Sequence, residues 1–241
     1  MKKLFLFSYA VFIAMILFSC SETTEPSDDP NVKVIAQMTS NLVDVNAIRA
    51  KRPDIQASTI DSIVIKDFRI LLSRLKFQSK TGDNDPNYDD HEMKAGPFLM
   101  NLDSTGKAFT LANGTIPEGT YSKIKFELHR FSTDEAETYV NDAIYGDFAT
   151  IYRYSFIIKG IIYENASAEE FTFNGTVTAN LMLDFEPEIT FEEGENYTIA
   201  LDIDPNLAFI SGNSLLDPRV QKDANDIENN LKDIFKSVKK K

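Results

Sequence analysis

From Thr115 to Phe131 the chain reads T-I-P-E-G-T-Y-S-K-I-K-F-E-L-H-R-F, and Ile124, Phe126 and Leu128 alternate with Lys123, Lys125, Glu127 and His129. A period of two is what a strand with one buried and one wet face requires. Pro117 presets the backbone angle wanted at the second position of a tight turn, and Gly119 tolerates a positive φ that other residues resist. A turn written into the sequence and feeding directly into an amphipathic strand sets the register of its neighbours. The segment therefore predicts a core strand of a β-sandwich.

The same alternation recurs along the chain. Val32, Val34, Ala36 and Met38 alternate with Lys33 and Gln37 and predict a first strand. Between Thr39 and Ser58, Val43, Ala47 and Ile48 have helical spacing, but Pro53 cuts it short, and the stretch reads as a loop crossing. In Asp61–Gln78 the apolar parity switches twice, so that strand must carry bulges, near Asp67 and Ser73. Gly96–Leu102 and Ala108–Leu111 predict short strands, with Asn113-Gly114 as a turn after them. Asp134–Ile144 places Ala136, Val140, Ala143 and Ile144 at the spacing of a short surface helix. Ile151–Tyr163 is apolar on both parities, as in a strand covered on both faces, and Phe171–Phe185 alternates cleanly as one strand. Tyr197, Ile199, Leu201 and Ile203 predict a further strand that ends at Asp204-Pro205. Its entry, Glu193–Ile199, loosely repeats Glu118–Ile124, each a turn glycine, a tyrosine and an amphipathic strand. Ile227, Leu231, Ile234, Phe235 and Val238 then form the apolar stripe of a docking helix. The whole predicts an all-β, antiparallel sandwich with a short C-terminal amphipathic helix.

The amino terminus carries a different signal. Lys2 and Lys3 precede an apolar run from Leu4 to Phe18, then Ser19 and Cys20, which is the layout of a secretory signal. The run is short for a membrane-spanning helix, which needs roughly 20 residues. Leu17-Phe18-Ser19-Cys20 resembles the lipobox of bacterial lipoproteins, in which the cysteine becomes the lipidated first residue. Cys20 is the single cysteine of the chain, and a thioether avoids the unwanted pairing open to a free secreted thiol. The other reading is an ordinary signal peptide with an incidental cysteine. Ser21 is not the Asp associated with inner-membrane retention, so the resemblance implies lipid anchoring to the outer membrane, facing periplasm or cell surface. The expected organisation is a signal peptide over 1–19, an acidic tether over 20–31, a β-sandwich over 32–212, and a C-terminal helix with a basic tail over 213–241.

Charge narrows the partners. The formal net charge is −12, and losing Lys2 and Lys3 with no acid makes it −14. Such a surface repels nucleic acid, so no nucleic-acid partner is expected.

Several motifs together carry a family resemblance. They are Asp61-Ser62-Ile63, Leu72-Ser73-Arg74-Leu75-Lys76-Phe77, Gly96-Pro97-Phe98, Ile116-Pro117-Glu118-Gly119-Thr120-Tyr121 and Leu215-Leu216-Asp217-Pro218. Across residues 31–236 the chain resembles a bacterial outer-membrane lipoprotein family built on a domain of unknown function with an immunoglobulin- or transthyretin-like sandwich. The resemblance implies the fold and the anchor and brings no activity with it.

Candidate chemistry is sparse. Asp83, Asp85, Asn87, Asp89, Asp90 and Glu92 crowd one loop, and alternate oxygen ligands there resemble a calcium loop. Tyr88 stands where an EF-hand turn needs Gly, and Lys94 where it needs the bidentate Glu, so a solvated acidic hairpin tip is the competing reading. The candidate calcium ligands are Asp83, Asp85 and Asp89. His91 and His129 read as surface histidines, without the cysteine partners of a zinc site. There is no Gly-x-Ser-x-Gly, no phosphate loop and no dinucleotide fingerprint, and no enzyme is expected. Tyr139, Tyr145, Tyr152 and Tyr154 are the candidate ring platform for a glycan, against the plainer reading that strand tyrosines cover a core edge. The expected role is a non-catalytic binding or assembly module of the cell envelope with a protein or glycan partner. The alternative is a carbohydrate- or calcium-binding lipoprotein that serves an outer-membrane nutrient-uptake system.

Overall fold

The computed structural model describes residues 30–54, 59–80 and 90–240. Cys20, the signal segment and the proposed calcium ligands Asp83, Asp85 and Asp89 lie outside those residues. In chain order the elements are β1 (Val32–Met38), β2 (Leu42–Asp44), α1 (Val45–Lys51), β3 (Ile60–Ser79), β4 (Asp90–Asp103), β5 (Phe109–Gly114) and β6 (Gly119–Leu128). They continue with α2 (Thr133–Tyr139), β7 (Phe156–Glu164), β8 (Ser167–Gly175), β9 (Ala179–Phe191), β10 (Tyr197–Ile203), β11 (Ile210–Ser211), β12 (Ser214–Leu215), α3 (Ala224–Asn230) and β13 (Phe235–Lys240).

β3 is the spine of the larger, seven-stranded sheet. β2 and β4 occupy one of its edges. On the other edge β7 pairs with Ile60–Ile70 and β6 with Leu72–Ser79, so β7 and β6 lie end to end. β8 and β9 continue the same arrangement one place outward, on β7 and β6. The smaller sheet has the order β13-β10-β1-β5, antiparallel except for the parallel pair β1/β10. The sheets share one apolar core, with Val34, Leu111, Ile199 and Val238 from one and Phe68, Phe77, Phe126 and Phe185 from the other. The fold is an all-β sandwich.

The alternating patterns sort as expected: Ile124, Phe126 and Leu128 are buried, as are Val32, Val34, Ala36 and Met38. Gly119 has a φ of +144°, the positive value the turn asks for. The two parity switches in β3 are real bulges, with register shifts between Ile65 and Asp67 and between Ser73 and Leu75. Five expectations need correction. The crossing from Thr39 to Ser58 contains β2 and α1, because Asp44 caps the helix by accepting from the Ala47 N–H at 3.0 Å, and α1 then stops just before Pro53. Asn113-Gly114 is not a turn but the end of β5, opposite Lys33 and Val32, and the chain turns after it with Asn31 bonded to both backbone groups of Ile116. The strand expected from Ile151 begins at Phe156. Phe171–Phe185 keeps its alternating faces but is interrupted at residues 176–178, where Glu228 of α3 accepts the Thr176 N–H at 3.3 Å. The C-terminal helix ends at Asn230, a short 3-10 turn follows, and Phe235 and Val238 are buried from strand β13.

The two repeated turn-tyrosine entries open strands in different sheets, and their tyrosines converge on one ring. Tyr121 and Tyr197 pack on Phe191, with ring centroids 5.1 and 4.8 Å away. Each hydroxyl ties back to its own turn: Tyr121 donates to the Pro117 carbonyl at 3.0 Å, and Tyr197 accepts the Glu192 N–H at 2.8 Å. Burial pushes the Tyr121 hydroxyl up to about 12.

Arg219, just past Asp217-Pro218, clamps the C-terminal segment to the β7–β8 hairpin. It reaches Glu164 at 2.9 Å, Glu169 at 2.6 Å and Asp217 at 2.7 Å. Glu164 also accepts from Thr59, and this bond and Arg219 hold its carboxyl below the usual range. Partial burial works against ionisation of Asp217, but the side-chain and backbone hydrogen bonds from Arg219 outweigh it and lower that carboxyl too. Depressed carboxylates stabilise the fold above their unfolded values, about 4, and the contribution is lost as pH falls through the folded values. Arg219→Gln is therefore expected to melt below the parent at neutral pH, with the gap closing in acid. A gap in Tm as wide in acid as at neutral pH would contradict the clamp.

Candidate functional site: an apolar groove on the segment between β6 and β7

β6 and β7 are collinear, yet the chain between them leaves the sheet and returns to the same place. Both ends are pinned on Leu71 of β3: the His129 N–H donates to the Leu71 carbonyl at 2.9 Å, and the Leu71 N–H donates to the Ser155 carbonyl at 2.8 Å. The neck is stitched by two arginines in reciprocal fashion. Arg130 donates to the carbonyls of Tyr152 and Arg153, each at 2.9 Å, and Arg153 donates to the carbonyl of Phe131 at 3.4 Å. Loops closed on themselves and packed by their own side chains are frequent carriers of function.

The segment folds down over the outer face of the sheet because that face carries apolar residues at its centre. Leu71 and Ile157 point away from the main core and form a second cluster with Phe131, Ala136, Phe148 and Ala149. Arg69 of β3 holds the segment from outside, 2.9 Å from Asp147 and with its guanidinium 5.6 Å from the centre of the Phe148 ring. α2 begins with a capping box, in which Glu135 N–H donates to the Ser132 hydroxyl at 3.2 Å and Ser132 N–H to the Glu135 carboxylate at 2.7 Å. Burial opposes ionisation of Glu135, but these bonds and neighbouring His129 outweigh it and keep the carboxyl below the usual range.

What the segment leaves uncovered is an apolar groove of about 650 Å³, lined by Ala136, Glu137, Val140, Ala149, Ile151 and Arg153 among others. Val140 is 51% and Ile151 87% exposed, with Ile144 and Tyr152 also open to solvent. α2 stops at Tyr139, so Val140 and Ile144 never complete the helical stripe their spacing suggests, and Ile151 falls in the turn before β7. Local pattern does not signal this groove, because the spacing of Ala136 and Val140 reads as a surface helix and Ile151 reads as the start of a covered strand.

The four tyrosines divide into two pairs. Tyr139 and Tyr145 sit 5.1 Å apart, pack on Phe131 and are half-buried, and the Tyr145 hydroxyl donates to the Pro97 carbonyl at 3.0 Å. Burial raises the Tyr145 hydroxyl above its ordinary value. Tyr152 and Tyr154 stack 5.8 Å apart beside Ile151, with Tyr152 facing solvent. They are not one platform. His129 is half-buried rather than a surface residue, 3.4 Å from Glu135 and edge-on to Phe131. His91 lies near Tyr121 on β4. Among the described residues no group of three or more His, Cys, Asp or Glu could hold a metal ion, and no helix is long and apolar enough to cross a membrane.

Residues 27–218 match the family model described as Domain of unknown function (DUF4382). The chain belongs to this family. The DUF4382 match covers the larger sheet, β1, β5 and β10 of the smaller one and the whole β6–β7 segment, and it ends at Pro218, just before Arg219. No curated protein and no solved structure matches the chain.

Proposed function

We propose that this DUF4382 chain is a lipoprotein anchored to the outer membrane through Cys20, and that it acts there as a non-catalytic binding or assembly module. Its finer kinship would then be with immunoglobulin- or transthyretin-like sandwiches, a likeness favoured by two sheets closing over one core. The observation that carries the binding role is the groove beside Val140 and Ile151. Apolar side chains are held open to water on a segment that is rigidly pinned at its neck, and a folded protein gains nothing from such exposure unless something covers it. The occupant is an apolar segment of an envelope protein. A glycan is the second reading, and the stacked, solvent-facing Tyr152–Tyr154 pair beside the groove favours it.

Both halves are tested in cells making the full chain. Cys20→Ala is expected to move the protein from the membrane to the soluble fraction, and unchanged partition would refute the anchor. A photo-crosslinker at Thr150 is expected to give a discrete protein adduct that Ile151→Asp abolishes, while stability changes by only about 0.5 kcal/mol or less, as for other surface changes. Absence of any adduct, or an adduct indifferent to Ile151→Asp, would sink the protein-binding reading. Binding on a glycan array lost by Tyr152→Ala would support the second.

A further inference from the structure

The second bulge of β3 holds a residue in a conformation it does not favour. Arg74 has a φ of +52°, in the left-handed region where glycine is at ease and an arginine is strained. The register passes from Ser73 to Leu75 against both β4 and β6, so residue 74 is paired with neither neighbour although its strand has partners on both edges. Bulges re-aim a side chain, and strained residues persist where the arrangement is used.

Arg74 is exposed at the rim of a pocket of about 290 Å³ on the outer face of the larger sheet, beside Lys76, Lys125, Glu127, Asp90 and Met182. Lys76 lies directly across from Lys125, and like charges opposite one another destabilise a sheet. Each lysine turns to an acid: Lys76 is 3.7 Å from Glu92 and Lys125 is 3.1 Å from Asp90. Glu127 is engaged by the Ser73 hydroxyl at 2.8 Å. Among the described residues no carboxylate is within ion-pair distance of Arg74. In a chain of net charge −12, an arginine with no carboxylate partner among the described residues, beside two facing lysines, runs against the overall charge. Met182, 60% exposed, and Leu181 supply an apolar wall.

We propose that this pocket binds a small organic anion whose carboxylate meets the Arg74 guanidinium between Lys76 and Lys125 and whose body lies against Met182. The planar guanidinium matches a carboxylate with two parallel hydrogen bonds, which a lysine cannot offer. Pockets for small molecules begin at about 300 Å³, so a single ring fits and an oligomer does not. A hexuronic acid has this chemistry, and phosphate shares its charge. The site stands independently of the groove on the β6–β7 segment.

The test is calorimetric titration of the anchor-free chain with glucuronate, glucose and inorganic phosphate. Glucuronate is expected to bind and glucose not. Phosphate binding equally well assigns recognition to the acid group alone, and weaker phosphate binding assigns part of it to the ring; both support an anion site. No binding of either anion at about 10 mM, or equal binding of glucose and glucuronate, overturns it. Arg74→Gly is the decisive variant, since glycine relieves the backbone strain: affinity should fall about tenfold or more, the loss of a charge-assisted hydrogen bond, while Tm holds or rises. Arg74→Asn, which also tolerates this backbone, is the second variant and should lose affinity in the same way. Retained affinity in either variant removes Arg74 from the site.

Discussion

Phe77→Ala is expected to cost about 3–5 kcal/mol of stability, the range for truncating a buried phenylalanine. The ring is fully buried on β3 and touches Tyr121 of β6, Phe185 of β9 and Phe191, at centroid distances of 6.0, 5.9 and 5.7 Å. Phe191 passes the contact to Tyr197 of the other sheet, so this cluster closes the sandwich at the end opposite the β7–β8 hairpin. Deleting the ring opens a cavity among buried rings that meet it edge-on and stacked, and such a site relaxes only in part. At roughly 2–4 °C per kcal/mol for a chain of this size, Tm should fall by on the order of 10 °C. Lys159→Ala, at an exposed position of β7, should stay within about 0.5 kcal/mol. A Phe77→Ala melting curve that overlays the Lys159→Ala curve would show that the cluster does not hold the sheets together.

Gly175→Ala is expected to destabilise by about 3 kcal/mol even though it adds one methyl group, at the upper end of the usual cost of overpacking. Gly175 lies directly opposite Phe156, and four residues along β7 Gly160 lies opposite Phe171. Each ring lies against its glycine partner, a cross-strand pairing that fills the space of the missing side chain, on edge strand β8 for Gly175 and on interior strand β7 for Gly160. A Cβ on Gly175 would fall within the Phe156 ring, which is fully buried and has nowhere to go. One on Gly160 would meet the Val64 carbonyl oxygen and lie 2.7 Å from the Phe171 ring. Because a side chain causes the first clash and backbone the second, the two glycines should differ in rescue. Phe156→Leu should recover part of the loss from Gly175→Ala, giving a double variant more stable than the summed single effects. No second-site change of that kind relieves Gly160→Ala at Val64. Strict additivity of Gly175→Ala and Phe156→Leu in urea melts would mean the ring is not what excludes the methyl group.

Much of the architecture was legible because strand patterning is local. Ile124, Phe126 and Leu128 fall on one side of a strand by pleat geometry alone, and the parity switches in Asp61–Gln78 located both bulges before any partner was known. Asp44, just ahead of Val45, is a helix cap legible in the sequence, and Pro53 marks where α1 has already ended rather than excluding a helix. The three-residue spacing of Phe235 and Val238 fits a helix, but the edge of β10 that they complete makes them a strand.

The candidate sites show the limit more sharply. Val140 and Ile151 read as helix and strand residues that would find cover, and nothing near them in the chain says they remain bare. Arg74 sits within a run of strand residues, and its pocket forms only where Lys125 of β6 and Asp90 of β4 come to lie beside β3. The fold class, the inward faces, the bulge positions and the turn into β6 follow from local pattern, since each depends on residues within a few positions of one another. It takes the assembled fold to place β6 and β7 on one edge of β3, to lay the chain between them on Leu71, and to open a groove and the Arg74 pocket on the outer face. Those outcomes depend on which edges and faces meet across long separations, and period-two alternation carries no information about a strand's partner.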